Sequence, residues 1–135
     1  MLPRTLRALL ALVLALCVAA LAGCSTAAGD GAPAPTGTSG LVTVRADDLP
    51  AEARAALELI ARGGPFPYEK DGAVFSNFER ILPLHKRGYY REYTVRTPGE
   101  RDRGARRLVT GQGGEVYYTD DHYETFREVV TDEAR

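Results

Sequence analysis

Four arginines crowd one short stretch of this chain, with Arg101, Arg103, Arg106 and Arg107 flanking Gly104. A hairpin there would converge several guanidinium groups, and a guanidinium matches phosphate oxygens bidentately. The cluster leads to the expectation of a phosphate-bearing ligand. Upstream, Glu92 stands in Tyr90-Arg91-Glu92-Tyr93. With the period of two of a strand, Tyr90, Glu92 and Thr94 share a face. An isolated strand Glu more often faces solvent, but beside an arginine-bearing strand it is a candidate general base. The run Asp120-Asp121-His122-Tyr123 supplies the other half. A single histidine between strands is usually structural, whereas paired with Glu92 it would complete an acid–base couple. The other histidine, His85, lies in Leu84-His85-Lys86-Arg87 and reads as a solvated loop residue. Two histidines, no HxxxH and no acidic cluster with ligand spacing give no metal signal. Neither GxxxxGK[ST] nor GxSxG is present, and nothing calls for a cofactor.

These residues need a scaffold. Ala53, Ala56, Leu57 and Ile60 recur at helical spacing, which predicts a helix over residues 50–62, with Pro50 in its first turn and Gly63-Gly64 as its stop. After Gly64 the pattern changes. Pro65-Phe66-Pro67-Tyr68 is too rich in proline for a helix, and Phe75, Ile81 and Leu82 fall in short pieces between turns. Residues 89–95, 106–110, 116–119 and 125–130 read as strands, with turns at Thr97-Pro98-Gly99 and residues 111–114. One helix followed by an antiparallel meander predicts an α+β fold, the helix packed on a single antiparallel sheet.

The chain has 135 residues, enough for one domain, and a net charge of −1. That balance excludes a strongly basic nucleic-acid coat. Charge is nonetheless uneven: residues 80–107 carry nine basic against three acidic side chains, and residues 108–135 two against seven. A basic patch is therefore local.

The N-terminus is of another kind. Arg4 and Arg7 precede an apolar run over residues 8–20 that is short for a membrane span and reads as an export signal. Leu21-Ala22-Gly23-Cys24 resembles the lipobox of bacterial lipoproteins, in which the cysteine is lipidated and becomes the mature N-terminus; an ordinary secretory peptide is the alternative. Residues 25–40 are rich in Ala, Gly, Pro, Ser and Thr and read as a flexible tether. The expected organisation is a signal over 1–23, a tether over 24–40 and a folded domain over 41–135. The protein would be exported and held by Cys24 on the outer face of the cell membrane, or released from it. Cys17 and Cys24 are the only cysteines, so the domain has no disulfide of its own.

Several runs together resemble the guanyl-specific microbial ribonucleases of the ribonuclease Sa group, distant relatives of barnase. They are Gly64-Pro65-Phe66-Pro67-Tyr68, Asp71-Gly72-Ala73-Val74-Phe75-Ser76-Asn77, Gly88-Tyr89-Tyr90-Arg91-Glu92-Tyr93-Thr94-Val95, Thr97-Pro98-Gly99, Arg103-Gly104-Ala105-Arg106-Arg107 and Tyr117-Tyr118-Thr119-Asp120-Asp121-His122-Tyr123. The resemblance implies a helix on an antiparallel sheet and metal-independent cleavage of single-stranded RNA after guanosine. It implies Glu92 as general base, His122 as general acid, and Arg103 and Arg107 on the phosphate, with Tyr123 also contacting phosphate. It implies Glu79 as the guanine-reading carboxylate, in a loop where Phe75, Ser76, Asn77 and Phe78 stack on the base and offer it backbone donors.

This chain departs from the group in three places. Arg91 stands where a histidine usually precedes the catalytic Glu, and an extra cation there would bear on the pH optimum. Phe78 replaces a polar residue. Arg45 stands near the first cysteine of a disulfide that joins the two ends in the group. Loss of such a bridge typically costs ~2–5 kcal/mol, which predicts a less stable but active enzyme. The resemblance implies a monomer with single-stranded RNA as its partner. Two other readings stay open: a non-catalytic RNA- or nucleotide-binding lipoprotein on the same fold, and the same activity used as an antibacterial toxin, which would require a small acidic barstar-like inhibitor.

Overall fold

The computed structural model describes residues 36–132. The export signal, Cys24 and most of the expected tether lie outside them. The helix α1 (Ala51–Arg62) follows Pro50, and its first turn holds Glu52 and its last Arg62, each at the end its charge favours. Gly63, at φ 76°, ends it. The Gly63 N–H bonds to the carbonyl of Ile60 and that of Gly64 to Leu59, so two end carbonyls are satisfied by a Schellman turn.

The strands β1 (Thr43–Arg45), β2 (Ala73–Phe75), β3 (Tyr90–Thr94), β4 (Arg107–Gly111), β5 (Val116–Thr119) and β6 (Arg127–Val130) form one sheet in the order β1-β6-β5-β4-β3-β2. The expected helix on a sheet is present, and pairing from β2 through β6 is antiparallel. The edge strand β1 runs parallel to β6, so the sheet is mixed rather than wholly antiparallel. At three residues each, β1 and β2 are too short to show an alternating pattern, and the sequence did not announce them as strands.

Alternation along the strands makes two cores. Leu49, Ala53, Val95, Leu108 and Tyr118 are buried under the helix. Leu82, Tyr90, Val109, Tyr117 and Phe126 are buried on the other face. Glu92 has the parity of Tyr90 and pairs with Val109, so it lies on the face away from the helix. Beside it runs a cross-strand row of polar residues, Thr94, Arg107 and Thr119, joined by register and nearly inaccessible at 5%, 3% and 1%. Buried polar groups persist only when bonded, and each of these three is.

Packing reaches into the expected tether. Thr36 bridges to Val42. The Thr38 hydroxyl donates to Glu128 Oε1 at 2.9 Å, and the Ser39 N–H and hydroxyl donate to Glu128 Oε2 at 3.0 and 2.5 Å. Arg45 holds Asp132 at 3.0 Å, joining the described ends of the domain where the related enzymes were expected to have a disulfide. Both partners are half exposed, so the pair contributes at most ~1 kcal/mol. Glu128, only 7% exposed, is the stronger clasp. Among the described residues no helix is long and apolar enough to cross a membrane.

Candidate active site

The register Phe75↔Tyr90 brings the ends of β2 and β3 together, and the segment that leaves β2 folds back over this end of the sheet. Asn77 shapes it. Its amide nitrogen donates to the Leu82 carbonyl at 2.9 Å, its amide oxygen accepts the Leu82 N–H at 3.1 Å, and its backbone takes φ 52°. Asparagine tolerates that left-handed conformation better than most residues. The loop so closed places Ser76, Asn77, Phe78 and Glu79 along one wall of a cavity of about 590 Å³. Glu92, His122, Tyr123, Glu124 and Phe126 line the remainder. Phe75 packs its ring against Tyr123, with centroids 5.2 Å apart and planes 23° apart, and meets Phe126 edge-on. It is a wall of the cavity. Phe78 is 87% exposed at the mouth, and Glu79 is also exposed.

Glu92 has a side chain only 13% exposed and both oxygens engaged. Oε1 accepts from Arg103 Nη2 at 3.0 Å, and Oε2 accepts from the Tyr123 hydroxyl at 2.7 Å. Arg103 is itself oriented by Thr94, whose hydroxyl accepts from Nε at 2.9 Å. Arg91, the substitution expected to add a cation beside Glu92, points elsewhere. It lies on the opposite face of β3 and donates Nη1 to the Gly72 carbonyl at 3.2 Å. Arg103, not Arg91, is the cation on this carboxylate.

Arg107 starts β4 almost fully buried. Its Nη1 donates to the carbonyls of Arg103, Gly104 and Arg106 at 3.2, 2.9 and 2.7 Å, and so holds the arginine-bearing turn in shape. Its Nε donates to the Tyr123 hydroxyl at 3.2 Å. Two of the four arginines in the cluster, Arg103 and Arg107, thus converge on the site. Arg106 turns to Glu52 at 3.7 Å and to the Arg96 carbonyl at 2.7 Å, and Arg101 is exposed.

His122 and Tyr123 both take left-handed backbone, at φ 56° and 71°. Such a pair of non-glycine residues is strained and needs support. Asp121 supplies it. Oδ1 accepts from the Thr119 hydroxyl at 2.8 Å and the Thr125 N–H at 2.9 Å, and Oδ2 from the Thr125 hydroxyl at 2.5 Å. Thr119 also accepts the Tyr123 N–H at 3.2 Å. Burial alone would raise the Asp121 carboxyl, but these hydrogen bonds outweigh it and hold its pKa below the ordinary value. The His122 N–H bonds to the Ala105 carbonyl at 3.0 Å, which ties this turn to the arginine turn and leaves the imidazole exposed. Burial, and then the bond to Glu92, push the Tyr123 phenol up to about 12. It is a permanent donor at any working pH.

The sequence picked out Glu92, His122, Arg103, Arg107, Tyr123 and the loop at 75–79, and all of them meet at or around one cavity. It missed Thr94, Thr119 and Thr125 as supports. The signal was present: Asp121, four residues before Thr125 and two after Thr119, has the spacing of a local turn cap.

A model of the ribonuclease family matches residues 32–130. The guanyl-specific ribonuclease St of Saccharopolyspora erythraea is 61% identical over 95 residues, which cover 70% of this chain and 94% of that protein. The guanyl-specific ribonuclease Sa of Kitasatospora aureofaciens is 58% identical over 85 residues, covering 62% and 88%. A crystal structure of ribonuclease Sa2 with guanosine-2′-cyclophosphate superposes with a TM-score of 0.66 at 51% identity, over 68% of this chain and 98% of that one. The chain belongs to the ribonuclease family, among its guanyl-specific microbial members.

Proposed function

We propose that Glu92 and His122 are the base and acid of an RNA transphosphorylation, with Arg103 and Arg107 stabilising the phosphate. The protein is a guanyl-specific endoribonuclease, which cleaves on the 3′ side of guanosine through a 2′,3′-cyclic phosphate. The observation that carries the assignment of roles is the carboxylate of Glu92, fixed by Arg103 and Tyr123 at the edge of the cavity that the loop at 75–79 closes.

Glu92 takes the proton of the ribose 2′-hydroxyl as that oxygen attacks phosphorus. His122, exposed across the cavity, gives a proton to the departing 5′-oxygen. Arg103 meets the charge on the five-coordinate phosphorus, as does the Nη2 edge that Arg107 has left once Nε and Nη1 are engaged. The Tyr123 hydroxyl contacts a phosphate oxygen from the same side. Hydrolysis of the cyclic phosphate runs the same two groups in reverse. Glu79 accepts from N1–H and N2–H₂ of guanine while Ser76, Asn77 and Phe78 frame the base; adenine lacks that donor pair. The 2′-hydroxyl requirement confines the substrate to RNA.

Cys24 is the lipidated N-terminus in this reading, supported by Leu21-Ala22-Gly23-Cys24, and the enzyme acts outside the cell as a monomer. A small acidic inhibitor of the barstar kind is the partner this reading would pair with Arg103 and Arg107 beside the cavity. A fluorogenic RNA assay with Glu92→Gln and His122→Gln tests the assignment: both variants should lose activity, and a fully active Glu92→Gln would refute it.

A further inference from the structure

Beyond the cavity, the same end of the sheet carries a second surface. The segment that enters β3 is stitched to the loop at 75–79 by Asn77 on Leu82, and to β3 itself by the Tyr90 hydroxyl, which donates to the Pro83 carbonyl at 2.6 Å. It presents Leu84, 67% exposed, then His85, Lys86 and Arg87, all exposed. The His85 ring lies flat on Tyr89, with centroids 3.6 Å apart and planes 7° apart. One face of the imidazole is thus covered and the ring also meets Tyr90 edge-on at 5.8 Å, while the residue as a whole stays exposed. Arg80 stands exposed in the adjoining loop. Among the described residues no acid pairs with Arg80, Lys86 or Arg87.

A stacking platform flanked by unneutralised cations is the surface that single-stranded nucleic acid requires. We propose that residues 84–87 bind the RNA strand on the 5′ side of the guanosine being cleaved, its bases stacking on His85 and its phosphates meeting Lys86 and Arg87. The polarity follows from the layout of β3. Arg103 docks at the Thr94 end, Glu92 lies between, and the 84–87 surface adjoins the Tyr90 end next to the base-holding loop. The scissile phosphate and everything 3′ of it belong to the arginine end. The strand 5′ of the guanosine leaves past the other.

This inference rests on the function proposed above. The test compares kcat/KM of the wild type and a Lys86→Gln, Arg87→Gln double variant on three substrates: GpU, the same dinucleotide extended by two nucleotides on its 5′ side, and the same extended on its 3′ side. The wild type should prefer the 5′-extended substrate to GpU. Two phosphate contacts would make that preference fall about sevenfold between 50 and 200 mM salt, at a slope of roughly 0.7 per single-strand phosphate. The double variant should lose both the preference and its salt dependence and cleave GpU unchanged. His85→Ala should weaken the preference without changing its salt slope. A preference confined to the 3′-extended substrate, or one that survives in the double variant, would overturn the proposal. Failure of the wild type to cleave GpU at all would instead overturn the reading of the site on which it rests.

Discussion

The hydroxyl of Tyr123 donates to Glu92 Oε2 at 2.7 Å across 31 residues of sequence, and it accepts from Arg107 Nε at 3.2 Å. The phenol therefore couples the cation that shapes the arginine turn to the carboxylate proposed as the general base. Because its pKa is raised to about 12, it remains a donor throughout.

Replacing Tyr123 with Phe keeps the stack on Phe75 and removes the relay. A hydrogen bond to a charged group contributes ~1.5–3 kcal/mol, so kcat should fall about 10- to 100-fold. The absorbance titration of tyrosinate should also lose one late-titrating phenol. An unchanged kcat would show that Arg103 alone positions Glu92.

Thr119, 1% exposed, holds Asp121 and the Tyr123 N–H together. Thr119→Val is nearly isosteric but leaves the Tyr123 N–H without its acceptor and takes one of three donors from Asp121, whose bonds to Thr125 remain, and should cost about 1–3 kcal/mol in denaturant unfolding. The strained turn should also drift, so that kcat falls more than KM rises. Equal activity per folded molecule would reduce Thr119 to a purely structural role.

Glu128 contributes to the pH dependence of stability on the acid side. Burial would raise its pKa, but the donors from Ser39 and Thr38 win and hold it below the ordinary value. A carboxyl with a folded pKa below its unfolded one, ~4.3 for Glu, stabilises the fold above that value. The contribution is lost as pH falls through the lower, folded pKa. Glu128→Gln should therefore destabilise at pH 7 by about 1.5–3 kcal/mol, and by progressively less as pH falls below the unfolded value of ~4.3. Thermal melts across that range check this, and a deficit equal throughout would contradict it.

Glu79 is exposed at the cavity wall, where it packs little and is free to read a base. Glu79→Gln should reduce cleavage after guanosine by roughly 1–3 kcal/mol of specificity while sparing residual cleavage after adenosine. Proportional losses at both bases would remove Glu79 from recognition.

Much of this was legible in the sequence, for reasons that differ by element. The helix showed because its apolar period is long and its glycine stop unambiguous. The strands β3 to β6 showed because each is aromatic or β-branched between turns, although β6 starts at Arg127 rather than 125, since Thr125 serves Asp121 instead of the sheet. The edge strands β1 and β2 did not show, because a three-residue strand is defined by its partners. The charged residues of the site could be named from the sequence, but not apportioned. Nothing in the sequence tells that Arg106 turns to the helix while Arg103 reaches Glu92, or that Arg91 faces away, since these depend on strand parity and on which carbonyls a turn exposes. Glu128 as a clasp was invisible because its donors lie some 90 residues away.

The central claim is the division of labour between Glu92 and His122. The most direct measurement is the cleavage rate of two guanosine 3′-phosphodiesters, one with a nucleoside and one with a nitrophenolate leaving group, by Glu92→Gln and His122→Gln. Glu92→Gln should lower both rates alike, by a factor on the order of 10²–10⁴. His122→Gln should lower the nucleoside rate by a similar factor but the nitrophenolate rate far less, because that oxygen hardly needs a proton. EDTA should leave the wild-type rate unchanged. Equal losses on both substrates in His122→Gln, or full activity in Glu92→Gln, would contradict the account.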